Sequence, residues 1–393
     1  MREVADLTIA VANTGDPADP AQFSGTPAGL LGGLAAIGVR AEPVAGQPPQ
    51  AWRPWIERAA VAARLRPRDL GDVRAAVARE WFPALLDGPM QAVRQRRVAT
   101  GLRGLGPVDG IVAHGTELLM PAGVPSVTYE DATVLLARRH WAWSHLEHAS
   151  EDDVARYVRR SRTAYVRARA CCTMTHWAAA SLVDDYGVDP ERVHVVGVGA
   201  VRRLRPPAVR DWGVPRFLFV GFDWERKNGP ALVRAFAAVR ERHPGATLDV
   251  VGGHPRLDAP GVTGHGPIGL DVPEAEARLQ ALFDVATCFV MPSLHEPAGQ
   301  AYIEAGTAGV PSIGTSDGGA ATVIGAGGMV VDPRDEAAVA EAMLALADGE
   351  RAAALGAAAL EHAALLTWPM VAQRLVRALA PAEVDVRGLA AFL

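Results

Sequence analysis

The chain has 393 residues, 49% of them hydrophobic and 21% charged, with 40 Gly and 29 Pro. That length and composition suit two globular domains and exclude a disordered chain or a small disulfide scaffold. A formal net charge of −5 excludes a global field favouring nucleic acid.

Leu7–Ala12 is the first apolar run. It is too short for a secretory leader, and no run of about 18 apolar residues follows, so a cytoplasmic protein is expected. Ser24-Gly25-Thr26-Pro27 opens a helix over Pro27–Ile37, where an early Pro is favourable and Leu30, Leu31, Leu34 and Ile37 recur at helical spacing. Further strands are expected at Gly110–Ala113, Ser126–Tyr129, Cys171-Cys172 and Val193–Val196. Asn13–Phe23, Arg53–Met90 and Glu130–Trp143 are expected as long individual loops, with Trp141 and Trp143 either lining an acceptor cleft or packed in the core.

Arg156, Arg159, Arg160, Arg162, Arg167 and Arg169 lie in 151–169, but residues 1–200 hold 22 Arg against 22 Asp or Glu. A solvated helix face is therefore favoured over membrane contact. Cys171, Cys172 and Cys288, all in apolar surroundings, are expected to be buried and reduced, and no Cys/His spacing suggests zinc.

The Pro-, Gly- and Arg-rich stretch 199–215 breaks the rhythm and is expected to be an interdomain linker. Strands then follow at Phe217–Val220, Thr247–Val251, Ala286–Met291, Pro311–Gly314 and Met329–Val331. Helices are expected at Gly229–Arg242, Val272–Phe283, Gln300–Ala308, Asp335–Ala347, Glu350–Leu366 and Trp368–Leu379. Alternating strands and helices predict two doubly wound, Rossmann-like α/β domains facing a central cleft. The expected boundaries are 1–205 for an acceptor-binding domain and 206–375 for a donor-binding domain. A tail, 376–393, would pack back on the first.

Of the 39 Lys and Arg residues only Lys227 is lysine, and the chain has only two asparagines, Asn13 and Asn228. Lys227 falls in the turn Gly221–Gly229 after a strand, a compact ammonium suited to phosphate oxygens. About 70 residues on, His295-Glu296-Pro297-Ala298-Gly299-Gln300 leads into a helix carrying Glu304. A helix start offers backbone N–H groups to anions, and Gly299 lets a ligand approach the backbone. Together these features suggest a site for a phosphate-bearing sugar.

These segments resemble the retaining glycosyltransferases of family 4, of GT-B architecture. The resemblance runs through Phe219-Val220-Gly221 to Gly229, Val250–Gly253, Phe289–Ser293 to Ala305, Gly309–Gly314 with Gly318-Gly319, and Gly327–Pro333. Ser24–Pro27 and Tyr129–Thr133 look like a bacterial subgroup. The resemblance implies transfer of a sugar from a nucleotide-diphosphate-sugar, such as a UDP-sugar, to a hydroxyl of a small acceptor. Anomeric configuration would be retained, with neither metal nor further cofactor.

Catalytic roles would fall to Lys227 and Arg226 on the diphosphate, Glu296 on the sugar hydroxyls and His114 near the transferred sugar. Gly25, Ile268, Pro297, Ala298, Gly299 and Glu304 would bind the donor, Ile268 at the base and Glu304 at the ribose. Glu130 and Asp131 would bind the acceptor, and with His114 they are the candidate bases for an inverting reaction. Two positions depart from the family pattern: Phe222 stands where many members have Arg, and Ala298 where many have a bulky apolar residue. A nucleotide-sugar 2-epimerase and a non-catalytic nucleotide-sugar-binding partner are the competing readings.

Overall fold

The computed structural model describes residues 2–65, 72–74, 76–77, 80, 84, 88–140, 146, 149–202, 204–269, 273–380 and 384–393. The chain divides into two compact units, Met1–Val196 with Trp368–Leu393, and Gly197–Thr367.

In the first unit β1 (Thr8–Asn13), β2 (Arg40–Ala45), β3 (Gly110–His114), β4 (Ser126–Glu130), β5 (Ala170–Thr173) and β6 (Val193–Val195) form one sheet in the order β2-β1-β3-β4-β5-β6. Every pairing is parallel. The inner strands β3, β4 and β5 are buried almost end to end, as a parallel sheet covered on both faces requires. The edge strand β2 has only Val44 buried and carries Pro43, which lacks the N–H that an inner strand needs. It therefore offered no apolar run to find in the sequence.

In the second unit β7 (Arg216–Val220), β8 (Thr247–Val251), β9 (Val262–Gly266), β10 (Cys288–Val290), β11 (Ser312–Thr315) and β12 (Gly328–Val331) form another parallel sheet. Its order is β12-β11-β10-β7-β8-β9. Here too an edge strand, the Gly-containing β9, in which no residue is buried, is the one without a sequence signal. All three cysteines are buried and free.

Four expectations need correction. The expected linker 199–215 falls inside the second unit, where the Arg210 guanidinium donates to the carbonyls of Phe283 and Ala308, both at 2.6 Å. The return to the first unit begins at Trp368, ahead of the expected tail. Helix Trp368–Leu379 lies against helix Thr26–Ala36 so closely that a Cβ on Gly33 would stand 2.4 Å from the Trp368 carbonyl oxygen. Only a glycine permits that approach. Nor is Arg53–Met90 a loop throughout. Helix Arg53–Ala62 turns Ala60 and Val61 inward, and helix Gly88–Leu105 begins within the segment.

Glu130–Trp143 likewise contains a short helix, Val134–Arg139, capped by Thr133 Oγ1, which accepts from the Leu136 N–H at 3.2 Å. Trp141 and Trp143 lie outside the described residues. Helix Glu151–Arg167 starts at a Ser150–Asp153 capping box and buries Val154, Tyr157, Ser161 and Tyr165. Arg159, Arg162 and Arg167 are exposed. No single described helix is long and apolar enough to cross a membrane.

Candidate functional site

In each sheet the strand order reverses once, and in parallel α/β sheets ligands bind beyond the carboxyl ends of the strands at that reversal. In the second unit the reversal falls between β7 and β10. The loops leaving these two strands are 221–228 and 291–299, which carry Lys227 and Glu296.

The loop after β7 is a series of tight turns. The Lys227 N–H donates to the Asp223 carbonyl at 2.9 Å, and Asn228 adopts the left-handed conformation, φ 60°, at the start of helix Gly229–Arg242. The Asn228 side-chain amide donates to the Pro333 carbonyl at 2.7 Å, which holds the turn against the segment after β12. The two loops are joined by backbone, since the Leu294 N–H donates to the Arg226 carbonyl at 2.8 Å.

Lys227 and Glu296 form an ion pair through the ammonium and Oε2, the carboxylate buried and the lysine half-buried. The same Oε2 accepts from the Ser293 hydroxyl at 3.2 Å and lies 3.7 Å from Arg226 Nη1. Arg226 Nη1 also donates to the His295 carbonyl at 3.1 Å. Burial alone would raise the Glu296 carboxyl, but Lys227 and then Arg226 hold it below its ordinary range. Burial, with Arg226 adding to it, lowers the Lys227 ammonium against the pull of Glu296. The site therefore carries two cations around one carboxylate.

Pro297 and Ala298 are buried behind Glu296. Gly299, φ 83°, then opens helix Gln300–Thr307. A Cβ there would stand 2.6 Å from the Tyr302 ring, so the position requires glycine on both counts. Glu304, on that helix, is 2% exposed, and burial raises its carboxyl. Arg202 holds it doubly, Nη1 donating to Oε2 at 3.0 Å and the backbone N–H to Oε1 at 3.2 Å. Ile268 lies half-buried just past β9, and Phe222 is 83% exposed.

In the first unit the reversal falls between β1 and β3. The final residues of those strands meet there, Asn13 Nδ2 donating to His114 Nδ1 at 2.8 Å. That bond assigns the ring proton to Nε2. Burial lowers the imidazole to about 4, so it is neutral at pH 7. The Phe23 ring stands edge-on to it at 5.1 Å. Phe23, Ser24 and Gly25 have φ of 50°, 52° and 74°, three successive left-handed residues at the entrance to helix Thr26–Ala36. Only Gly25 adopts that conformation without strain.

His114 also lines a cavity of about 260 Å³ with Glu117, Glu130, Asp131, Arg160 and Ser161. Glu130, at the end of β4, accepts from the Tyr165 hydroxyl at Oε2, 3.1 Å. Burial puts its carboxyl well above its ordinary range, and the charges of Glu117 and Asp131 push the same way.

The expected residues thus fall into three groups: Lys227 with Arg226 and Glu296, Glu304 by itself with Arg202, and His114 with Glu130 and Asp131. Arg202, Ser293 and Asn13 were missed. Arg202 and Glu304 are 102 positions apart with no motif between them, so nothing flagged the pair. Rarity could have found Asn13: the chain's two asparagines each make a side-chain bond at one of the two strand-order reversals.

The fold is the two-domain α/β GT-B fold. Sucrose-phosphate synthase from Thermosynechococcus elongatus superposes with a TM-score of 0.61 at 20% identity, covering 96% of this chain and 98% of that one. An Anabaena protein in complex with UDP and glucose superposes with a TM-score of 0.56 at 13% identity, covering 95% and 99%. At those identities the likeness concerns fold alone.

The sequence comparisons are narrower. Residues 214–348, most of the second unit, match the family model described as Glycosyl transferases group 1. The D-inositol 3-phosphate glycosyltransferase of Nocardia farcinica is 32% identical over 235 residues, covering 53% of this chain and 52% of that protein. D-inositol 3-phosphate glycosyltransferase 1 of Catenulispora acidiphila is 31% identical over 236 residues, covering 53% and 56%. The chain spans about half the length of the curated relatives it matches.

Proposed function

We propose that the protein is a retaining glycosyltransferase of family 4 that passes a sugar from a nucleotide-diphosphate-sugar to a hydroxyl of a small acceptor. One observation carries this reading. The Lys227, Arg226 and Glu296 cluster stands at the strand-order reversal of the unit whose sequence matches glycosyl transferases. A departing diphosphate accumulates negative charge, and fixed cations in a dry site stabilise that charge where it develops.

In this proposal the ammonium of Lys227 and the guanidinium of Arg226 bind the diphosphate, and Glu296 turns to the sugar hydroxyls beside Pro297, Ala298 and Gly299. Glu304 takes the ribose, in competition with Arg202, and Ile268 lies by the base. Gly25 admits phosphate oxygens to the start of its helix. His114, neutral with its proton on Nε2, donates to a sugar oxygen, and Glu130 and Asp131 bind the acceptor. The bond from the anomeric carbon to the diphosphate oxygen breaks, the electron pair leaving with the diphosphate. The acceptor oxygen bonds to that carbon on the same face, and its proton passes to the departing phosphate. No metal is assigned a part.

Thermal stabilisation by a panel of nucleoside diphosphates and nucleotide-sugars tests this. The parent should be stabilised by one base type, and Lys227→Ala and Glu304→Ala should lose that shift. No stabilisation by any member at millimolar concentration would leave only a shared fold. Turnover of the nucleotide-sugar to an isomer with no acceptor present would point instead to an epimerase.

A further inference from the structure

The cavity of the first unit offers little to an ion or a polyol. Its imidazole, His114, is neutral at pH 7, and burial favours the neutral acid at Glu130. Glu117 lies in the field of the Arg94 guanidinium, and Asp131 and Arg160 each have partners of their own. The lining hydroxyls are engaged as well. Thr116 and Ser161 bond to each other at 2.8 Å, and Thr133 bonds to Ser181 at 2.8 Å while accepting from the Leu136 N–H. A polyol would give up water for hydroxyls that are already paired, whereas an apolar face gives up nothing.

An apolar face has somewhere to go. Val134, Ala137, Leu146 and Tyr157 line the cavity as the surface of one hydrophobic cluster, packed with Val154 behind them. Phe23 lines the same cavity, 48% exposed and edge-on to His114. Its backbone is left-handed, φ 50°, where a phenylalanine is strained and a glycine would sit freely. Strain of that kind persists where the side chain has a task, here an aromatic face at the cavity. The volume of about 260 Å³ lies below the roughly 300 Å³ at which sites for drug-sized ligands begin, which leaves room for one ring.

We infer that this cavity takes an uncharged ring alcohol of the phenol class, its ring against Phe23 and the apolar wall and its hydroxyl toward His114, and that it discriminates against polyols and their phosphates. The inference rests on the proposed assignment of this cavity to the acceptor. It gives that acceptor a chemical class different from the one in the curated relatives' names.

Calorimetric titration of the full chain, without nucleotide-sugar, tests it with 4-ethylphenol, tyramine, myo-inositol and D-inositol 3-phosphate. The phenol should bind at least about tenfold more tightly than inositol, and the phosphate no more tightly than inositol. Tyramine, which adds an ammonium to the same ring, should bind no more tightly than 4-ethylphenol. Phe23→Gly should weaken the phenol about tenfold without lowering the unfolding midpoint, because the left-handed backbone suits glycine. Ala137→Leu, which adds bulk to the wall from a different element, should weaken it too, and it decides the matter if Phe23→Gly unfolds earlier. Tightest binding of inositol, its phosphate or tyramine, unchanged phenol binding in the folded variants, or no binding of any ring at about 20 mM, roughly the weakest affinity expected of so small a ligand, would each overturn it. Nucleotide stabilisation is read separately. Phenol binding without it sinks the transferase reading and leaves the cavity standing, whereas nucleotide binding with transfer only to the polyol or its phosphate does the reverse.

Discussion

The two units are built alike and charged differently. Each is a six-stranded parallel sheet whose strand order reverses once, and in each the loops from the two strands at the reversal carry the candidate site. In the second unit those loops bring two half-buried cations against one buried carboxylate. In the first unit they join a neutral histidine to an asparagine, beside a cavity with three carboxyl groups. The architecture fixes where a ligand goes, while the side chains on short loops decide its charge.

The comparison breaks most sharply at Lys227. Lys227→Ala leaves the buried Glu296 without its closest cation, which should cost about 3–5 kcal/mol in denaturant unfolding. Turnover of a nucleotide-sugar should fall about 10²–10³-fold if the ammonium meets the developing charge. Adding Glu296→Ala should recover part of the stability and none of the turnover. If the double variant is as unstable as the single, the pair is not the unit described here.

Gly299→Ala comes next. It forces a side chain into φ 83° and toward the Tyr302 ring, for up to about 3 kcal/mol, readable as a lower unfolding midpoint. An unchanged midpoint would mean the loop relaxes freely. Arg202→Ala should cost less, about 1–2 kcal/mol, because Glu304 can take up a proton when its partner leaves. It should also tighten nucleotide binding if Arg202 and the ribose compete for that carboxylate, and calorimetry would expose the opposite sign.

An effect confined to acid pH distinguishes the first unit. His114 has a folded value of about 4, below its ordinary 6.5. Its contribution to stability is therefore complete above pH 6.5 and is lost as pH falls toward 4, because the unfolded chain takes up the proton first. Unfolding midpoints of the parent should drop across that window more steeply than those of His114→Gln. Parallel profiles would mean that the imidazole is not held neutral.

Local chemistry is what the sequence determined. Inner strands such as Phe217–Val220 and Gly110–Ala113 announce themselves because both faces are buried and nearly every residue must be apolar. Lys227 was legible as the one lysine of the chain, in a turn after a strand, whereas Glu296 and Gly299, both ordinary choices at a helix start, stood out only through the resemblance of Phe289–Ala305 to family 4 glycosyltransferases. The edge strands β2 and β9 were not legible, since one half-exposed side relaxes the demand for apolar residues.

Tertiary structure alone decided the long-range partners. Arg202 meets Glu304 across 102 positions, Asn13 meets His114 across 101, and helix Trp368–Leu379 joins the first unit through a backbone approach at Gly33. It also left Oε1 of Glu130 without a hydrogen bond among the described residues. Local spacing governs only what lies within a few turns along the chain, whereas pairing, burial and the charge felt by a side chain depend on which distant segments the sheets bring beside it.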